Sequence, residues 1–424
     1  MGWMRLSGLE DFKDGKMNKE TNLFKSNPTF FKLWLSQLLA SFGDSFYDVA
    51  IVWHLIETTG SALLAGGIAI SGTIGRLIGS SYIAQKVDLW CTRKVMLVTA
   101  VLRGIMLLVV VGLISYVAVP LIVFYIISFT TVFLNACSSA AQRKSISEVV
   151  EKAQLVNANA SFGVSFSFVQ ITSWALGGIV VAVFGVVFAL LINAGTTLLS
   201  ALLIWVAKWK SVTSLQVEDN KAQIAEGLRL IRNAKNKVQL IVIVEVACIF
   251  LLGFYWAAFP LLIDEISNAI GYGMQGAAFG VGCLITSIYL ARSRKLKKLG
   301  LAYVFGIIFY AIGVIVSAAI PHIAVFIFGV FISGLGNSFW STGRQTIFHL
   351  SIPTEDVGKV FAIFDLLTSL FLIPAWILGG YLADTFSPTL VMMGVGVTMF
   401  VILMITLQNK PLRRVEAVSE AKVA

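Results

Sequence analysis

The sequence has little charge and little cysteine, and both shortages restrict what the chain can be. Only 13% of its 424 residues are charged, whereas 58% are hydrophobic, and soluble domains carry about 25% charged residues. The four cysteines have no spacing typical of a disulfide framework or a zinc site. Metalloprotease histidine motifs and phosphate-binding glycine loops do not occur either. We therefore expect no enzyme, no metal site and no bound cofactor.

Long apolar runs dominate what is present, and the mean hydropathy is +0.87. Twelve of them are long enough to cross roughly 30 Å of hydrocarbon as an α-helix. They cover 30–56, 61–84, 95–117, 121–141, 155–183, 187–207, 239–262, 272–291, 300–319, 323–343, 359–383 and 388–408. The sequence therefore predicts an all-α membrane protein with twelve transmembrane helices.

The basic residues fall on one side of these runs. Of the 32 lysines and arginines, only Arg76 and Arg103 lie deep inside a run, and the others lie at alternate connections or at the two ends. The remaining connections carry only acids, such as Glu57, Asp264, Glu265 and Asp384. Lysine and arginine mark the cytoplasmic side, so we expect a multi-pass protein of a bacterial cell membrane with both termini cytoplasmic. The formal net charge of +10 then faces anionic lipid rather than nucleic acid.

The sequence also indicates an internal repeat of two similar halves. A shift of 201 positions carries Gly72, Gly75, Gly79, Pro120, Arg143 and Asp44 onto Gly273, Gly276, Gly280, Pro321, Arg344 and Glu245. Between the halves, 221–237 has the pattern of an amphipathic helix lying on a membrane surface. We predict a tail over 1–29, six-helix bundles over 30–207 and 239–408, a linker over 208–238 with that helix, and a tail over 409–424. Two such bundles, related by an axis along the membrane normal, are the arrangement of major facilitator transporters.

Ionisable residues inside the spans each require a role, because a charge at the helix centre costs about 2.5–3.5 kcal/mol. Asp44 and Asp48 lie one turn apart on one face of the first span. Two neighbouring carboxylates in a dry setting can bind and release a proton. Asp44, Asp48, Glu245 and Arg76 are therefore candidates for proton coupling, with Arg76 as the expected partner of Asp44. Purely structural acids, held by neighbouring helices, are the alternative.

Other polar residues predict a gate and a central cavity. Arg103 and Asp365 lie toward the basic side of their spans and favour a gating or structural ion pair, whereas Arg344 has the position of a topology anchor. Polar stripes among aromatic residues indicate a cavity, with candidates Gln37, Ser41, Asn135, Ser165, Trp256 and Asn337. Mild polarity mixed with aromatic rings favours a bulky amphiphilic or cationic organic ligand over a sugar or an inorganic ion.

Several stretches resemble the major facilitator superfamily. Asp88, followed by Thr92, Arg93 and Lys94, resembles its loop signature G-x-x-x-D-R-x-G-R-[RK], although the glycines and the first arginine are replaced. G-D at 43–44, Y-D-V-A at 47–50 and T-G-S at 59–61 are similar to the Mef-type macrolide efflux branch, drug:proton antiporter group 3. F-A-I-F-D at 361–365 and G-G-Y-L-A-D at 379–384 resemble the eleventh span of that branch.

This resemblance implies a monomeric exporter of a macrolide-like drug or another hydrophobic natural product, driven by proton antiport. In the family, the residues matching Asp88, Arg93 and Lys94 contact the second half and hold the outward-facing state. Two departures bear on proton coupling, since no Gly-Pro pair precedes 177–178 and no arginine lies within 128–135. Uptake or facilitated diffusion of a small metabolite or siderophore is the alternative, and a non-transporting receptor or membrane enzyme is a more distant one.

Overall fold

The computed structural model describes residues 23–80, 90–116, 119–151, 154–209, 220–233, 236–292 and 299–408. Within these ranges every regular element is a helix. A single helical turn, Leu23–Ser26, precedes the first long helix. The expected all-α membrane fold is confirmed.

Six helices form the first half. They are α1 (Pro28–Thr59), α2 (Ala62–Ile78), α3 (Thr92–Tyr116), α4 (Leu121–Val149), α5 (155–184) and α6 (186–206). The last two are arms of one continuous stretch, Leu155–Val206, which divides at Gly185. Gly185 has φ 81° and ψ 171°, a conformation that is open to glycine and to few other residues. This one residue therefore replaces a connecting loop between two spans.

Six further helices form the second half. They are α7 (Asn236–Ile266), α8 (Ala269–Arg292), α9 (Leu299–Ala319), α10 (Ile323–Ser351), α11 (Thr354–Thr385) and α12 (Pro388–Gln408). Counting Leu155–Val206 once, nine of the described helices are long and apolar enough to cross a membrane. The acid-bearing α1 and the 17-residue α2 complete the bundle. The twelve expected spans are therefore present.

The bundle has two unlike ends. We call the end with the termini and the linker the basic face, and the other end the opposite face. The described turns of the opposite face are short. Gly60, with φ 60°, caps the end of α1, and the Ser61 side chain caps the start of α2 by accepting a hydrogen bond from the Leu64 amide. At the basic face α4 and α10 continue to Val149 and Ser351, well beyond the predicted spans. These two helices therefore continue past the ends of their hydrophobic runs.

The two halves meet mainly along two helix pairs, α2 with α11 and α5 with α8. The repeated glycines contribute to this contact unequally. Gly72, Gly75 and Gly79 face α4 of their own half, whereas Gly273, Gly276 and Gly280 face α5 across the boundary. Small residues allow close approach in both places, but only the second row lies between the halves.

A separate linker helix, Asn220–Asn233, occupies the connection between the halves. It lies near the predicted amphipathic segment, although α7 already begins at Asn236. The linker helix packs against α11, where the Gly227 backbone approaches Ile363 and Glu226 forms a 3.0 Å ion pair with Lys359. Protein contacts therefore hold the linker helix against the second half.

Candidate functional site

Two adjoining chambers lie between the halves. The first, which we call the aromatic chamber, measures about 660 Å³ and is lined by rings from both halves, among them Trp174, Trp256, Tyr272, Tyr310, Trp340 and Trp376. The second, the ionic chamber, measures about 920 Å³ and is lined by Asp44, Asp48, Arg76, Arg103, Arg143, Lys359 and Asp365. Tyr47, Asp48, Arg76 and Trp256 belong to both walls. The chambers therefore form one space with an apolar part and a charged part.

Aromatic rings close this space toward the opposite face. Tyr272 of α8 stands at the centre, with its ring centroid 5.9 Å from Trp53, 6.1 Å from Trp174 and 5.7 Å from Phe259. Trp53 and Trp174 belong to the first half, so the cluster joins the two halves. Toward the basic face the ionic chamber extends to Arg143 and Lys359, near the ends of α4 and α11. The space is therefore more polar at the basic face than at the opposite face.

Asp44 forms an ion pair with Arg103 of α3. The Asn135 side-chain amide of α4 donates a second hydrogen bond to the other carboxylate oxygen, at 3.3 Å. Three helices of the first half therefore converge on one carboxylate. The expectation that Arg76 would partner Asp44 is wrong, because Arg103 is the partner. The sequence does not reveal on which side of α1 each neighbouring helix packs, so it could not distinguish the two arginines. Arg103 forms a structural ion pair within the first half, whereas Asp365 forms no ion pair with another described residue.

Asp48 and Arg76 face the shared wall of the two chambers. Both side chains are exposed to that space, and neither forms an ion pair with another described residue. Arg76 nevertheless interacts electrostatically with Asp48 and with Asp365. Both groups therefore face the chambers without a direct ion pair to a described residue, whereas Asp44 already has two partners.

Glu245, the repeat mate of Asp44, is fully buried in the second half. It accepts a 2.6 Å hydrogen bond from the Trp340 indole and forms a 2.9 Å ion pair with Arg344. The Arg344 guanidinium also stacks 4.8 Å from the centroid of the Phe364 ring. The interpretation of Arg344 as a topology anchor is therefore wrong, since it neutralises a buried acid and lines the aromatic chamber.

The gate candidates are dispersed. Asp365 is exposed to the ionic chamber, and Asp88 lies outside the described residues. Arg93 donates to the backbone carbonyls of Ile204 at 3.2 Å and Trp205 at 2.5 Å, which ties α3 to the end of α6. Lys94 is exposed beside it. In the arrangement described, Arg93 contacts its own half.

The cavity candidates divide into two groups. Asn135 lines the ionic chamber, Asn337 lines the aromatic chamber and Trp256 lines both. Gln37, Ser41 and Ser165 belong to neither wall. Gln37 donates to Ser41 at 3.4 Å, and Ser165 accepts from the Trp34 indole at 2.9 Å. These three residues therefore form helix contacts within the first half.

Several wall residues escaped the sequence reasoning, namely Tyr47, Trp174, Gln275, Tyr272, Tyr310 and Trp376. Tyr47 lies between the two acids of α1 and shares their stretch of sequence, which could have identified it. The other aromatic residues are not distinguishable in sequence from rings that face lipid. Across the described part of the chain, no group of histidine, cysteine, aspartate and glutamate has the composition of a metal site.

Comparison with known proteins agrees with this arrangement. The family model described as Transmembrane secretion effector (MFS_3) matches residues 24–423. Macrolide efflux protein A of Streptococcus pyogenes is 23% identical over 368 residues, which is 84% of this chain and 89% of that protein. Multidrug efflux pump Tap of Mycolicibacterium fortuitum is 24% identical over 271 residues, 62% of this chain and 66% of that protein.

Solved structures of transporters share the fold. The nucleoside transporter NupG, in a mutant form, has a TM-score of 0.72 at 11% identity, covering 90% of this chain and 99% of that chain. A bacterial homologue of the iron transporter ferroportin has a TM-score of 0.65 at 15% identity, with 90% and 99% covered. These identities support the fold alone. The family match, the multi-pass helices and the shared fold establish that the chain belongs to the Transmembrane secretion effector family of major facilitator transporters.

Proposed function

We propose that the protein is a secondary active exporter of bulky hydrophobic or amphiphilic organic compounds, working by proton antiport. The observation that carries this proposal is the space between the halves, where aromatic rings and free ionisable side chains share one wall. The efflux relatives, at 23–24% identity, support export as the direction. The basic face is assigned to the cytoplasm by the positive-inside bias.

The aromatic chamber suits an amphiphile. Its rings offer apolar contact on several sides, and its few polar groups, such as Gln275 and Asn337, can orient a ligand without demanding one fixed set of hydrogen bonds. Tryptophan and tyrosine faces also attract organic cations. A sugar would need more polar partners than this wall provides.

Asp48 is the proposed site of exchange. Its carboxylate is exposed where the two chambers meet, so a proton and a cationic ligand compete for the same group. Asp44, one turn away, holds negative charge nearby while it is paired with Arg103. Exchange drives transport if the two facing states hold the proton with different affinity.

Alternating access would proceed by rocking the bundle over 30–207 against the bundle over 239–408. The linker over 208–238 would connect them, and the tails over 1–29 and 409–424 would remain cytoplasmic. With the opposite face closed by the Tyr272 cluster, the arrangement described here corresponds to the inward-facing state.

The test is transport into inverted membrane vesicles with an imposed proton gradient. Ethidium serves as the cationic probe and erythromycin as the macrolide probe. We expect accumulation of at least one probe in inverted vesicles, its abolition by Asp48→Asn, and normal accumulation in the matched control Asp264→Asn. Asp264 is an exposed acid near the opposite-face end of α7, away from both chambers. Accumulation only in right-side-out vesicles would replace export by uptake, and full activity of Asp48→Asn would remove the exchange site.

A further inference from the structure

Helices α2 and α11 belong to different halves and run antiparallel. At the opposite face the Asp384 carboxylate of α11 binds the first turn of α2. It accepts hydrogen bonds from the Ser61 hydroxyl at 2.5 Å, the Ala62 amide at 2.6 Å and the Leu63 amide at 3.2 Å. A carboxylate at a helix N-terminus also interacts favourably with the helix dipole. This contact closes one end of the boundary between the halves.

The next contacts along the pair define its register. A Cβ atom at Gly380 would lie 2.6 Å from the Leu63 Cα, and one at Gly66 would lie 3.3 Å from Cε3 of Trp376. Contacts therefore advance by about one helical turn on each helix. Toward the basic face both helices line the ionic chamber, which therefore lies between their ends.

Continuing this register toward the basic face identifies the residues that would meet if the separated ends closed. Steps of three or four residues place Arg76 opposite Asp365, and Ser80 opposite Ala362. All four side chains are exposed and line the ionic chamber. Asp365 already interacts electrostatically with Arg344 and with Arg76, and neither Arg76 nor Asp365 has an ion-pair partner in the part of the chain that the structure describes.

We propose that Arg76 and Asp365 form a latch between the halves, which closes the basic-face ends of α2 and α11 in the outward-facing state. The proposal rests on the alternating access included in the proposed function. Asp384 with the first turn of α2 is the opposing latch, since a pair of stiff helices that rocks about its middle contact cannot close both ends together. Each state then keeps one charged contact and loses the other.

The latch accounts for two otherwise unmatched charges in a membrane protein. An unpaired arginine or aspartate at membrane depth is unfavourable, although water in the ionic chamber reduces that cost. In the closed arrangement the two groups would neutralise each other as water leaves the narrowing chamber. The lost hydration is thereby compensated by a direct ion pair.

The test is a distance measurement that needs no transported compound. The four native cysteines, which are free, are replaced by serine or alanine, and nitroxide labels are placed through Ser80→Cys and Ala362→Cys. Pulsed electron resonance in lipid nanodiscs then reports a long distance for the arrangement described here and a short one for the closed ends. We expect both populations in the otherwise unchanged protein.

Asp365→Asn and Arg76→Asp are each expected to lower the ratio of short to long distances by roughly fivefold or more, the scale of a typical coupling between two states. Combining Arg76→Asp with Asp365→Arg restores the ratio, because the pair is reformed with its charges exchanged. The carboxylate-to-amide control Asp264→Asn leaves the ratio unchanged. Unchanged ratios in the single variants overturn the latch, and so does a double variant that fails to recover.

The outcome is separable from that of the proposed function. If the distances respond as expected while neither ethidium nor erythromycin is transported, the latch stands and the substrate assignment fails. If transport proceeds in inverted vesicles while the ratio of short to long distances is unchanged in the Arg76 and Asp365 variants, export stands and the latch fails.

Discussion

Asp44 and Glu245 are matched by the 201-position shift between the halves, yet their surroundings differ. Each is paired with an arginine, but the Asp44 side chain is 25% exposed, toward the ionic chamber, whereas the Glu245 side chain is 0% exposed. The Asp44 partner comes from α3, and the Glu245 partner comes from α10, the fourth helix of its half. The two matched acids therefore differ in both exposure and partner helix. Asp44 is thus partly open to the chamber, whereas Glu245 is enclosed.

The largest effect on stability should come from removing the buried Glu245 carboxylate. Glu245→Ala leaves the Arg344 charge without its partner and the Trp340 indole without its acceptor, so we expect a loss of about 3–5 kcal/mol in the free energy of unfolding. Asp44→Ala should lose about 1–3 kcal/mol, because water in the ionic chamber can reach Arg103. Unfolding of the purified proteins in detergent, followed by tryptophan fluorescence, compares the two.

A paired replacement sharpens the same comparison. Glu245→Leu combined with Arg344→Met removes both charges at once, and it should recover most of the stability that Glu245→Ala loses. Equal stability losses for Asp44→Ala and Glu245→Ala would show that the two acids are equivalent after all, contrary to the asymmetry described above.

A smaller effect is expected from the repeated glycines Gly72 and Gly273. A Cβ atom at Gly273 would lie 2.5 Å from the Trp174 carbonyl oxygen and 2.7 Å from the Gly178 Cα, both across the boundary. At Gly72 the nearest atom is a methyl carbon of Val132, at 3.1 Å, in the same half. Gly273→Ala should therefore separate the halves at the opposite face and cost about 1–3 kcal/mol, whereas Gly72→Ala should cost less.

Thermal unfolding of both glycine variants measures this difference, and the Ser80 and Ala362 labels report the accompanying change of state. We expect a larger short-distance population in Gly273→Ala than in Gly72→Ala. Greater damage from Gly72→Ala would mean that the tighter packing lies within the first half.

The smallest effect is expected at Asp384. Asp384→Asn keeps an acceptor oxygen at the first turn of α2 but removes the charge, worth about 0.3–1 kcal/mol. The population of the state with a closed opposite face should therefore fall a few-fold. The labels at positions 80 and 362 should show a correspondingly larger short-distance population. A shift toward the long distance would contradict the opposing roles of the two latches.

The sequence predicted the twelve helices because hydrophobic length and charge asymmetry are local properties. It did not predict which helices touch. Expected depth along the membrane normal favoured Arg76 as the partner of Asp44 and placed Arg103 nearer the basic side. The direction of each helix around α1 decides the pairing, and that direction depends on packing within the whole bundle. The polar stripe on α1 shows the same limit, since Asp48 reaches the chamber and Gln37 and Ser41 do not.

The helix ends show a second limit. Hydropathy ends α10 near 343, where the hydrophobic run stops, but the helix continues to Ser351. Backbone hydrogen bonds persist in the polar part of the bilayer, so apolar composition underestimates the length of helices that extend beyond the hydrocarbon. The asymmetry between Asp44 and Glu245 lies in such packing details, and no sequence repeat could have revealed it.

Proton release on ligand binding tests the central claim most directly. Ethidium is added to the purified protein in weakly buffered solution, and the pH change is recorded for the native chain, Asp48→Asn and Asp264→Asn. If a cation displaces the proton from Asp48 where the two chambers meet, the native chain and Asp264→Asn release protons and Asp48→Asn does not. Binding of ethidium without proton release from the native chain, or equal release from Asp48→Asn, would contradict the account.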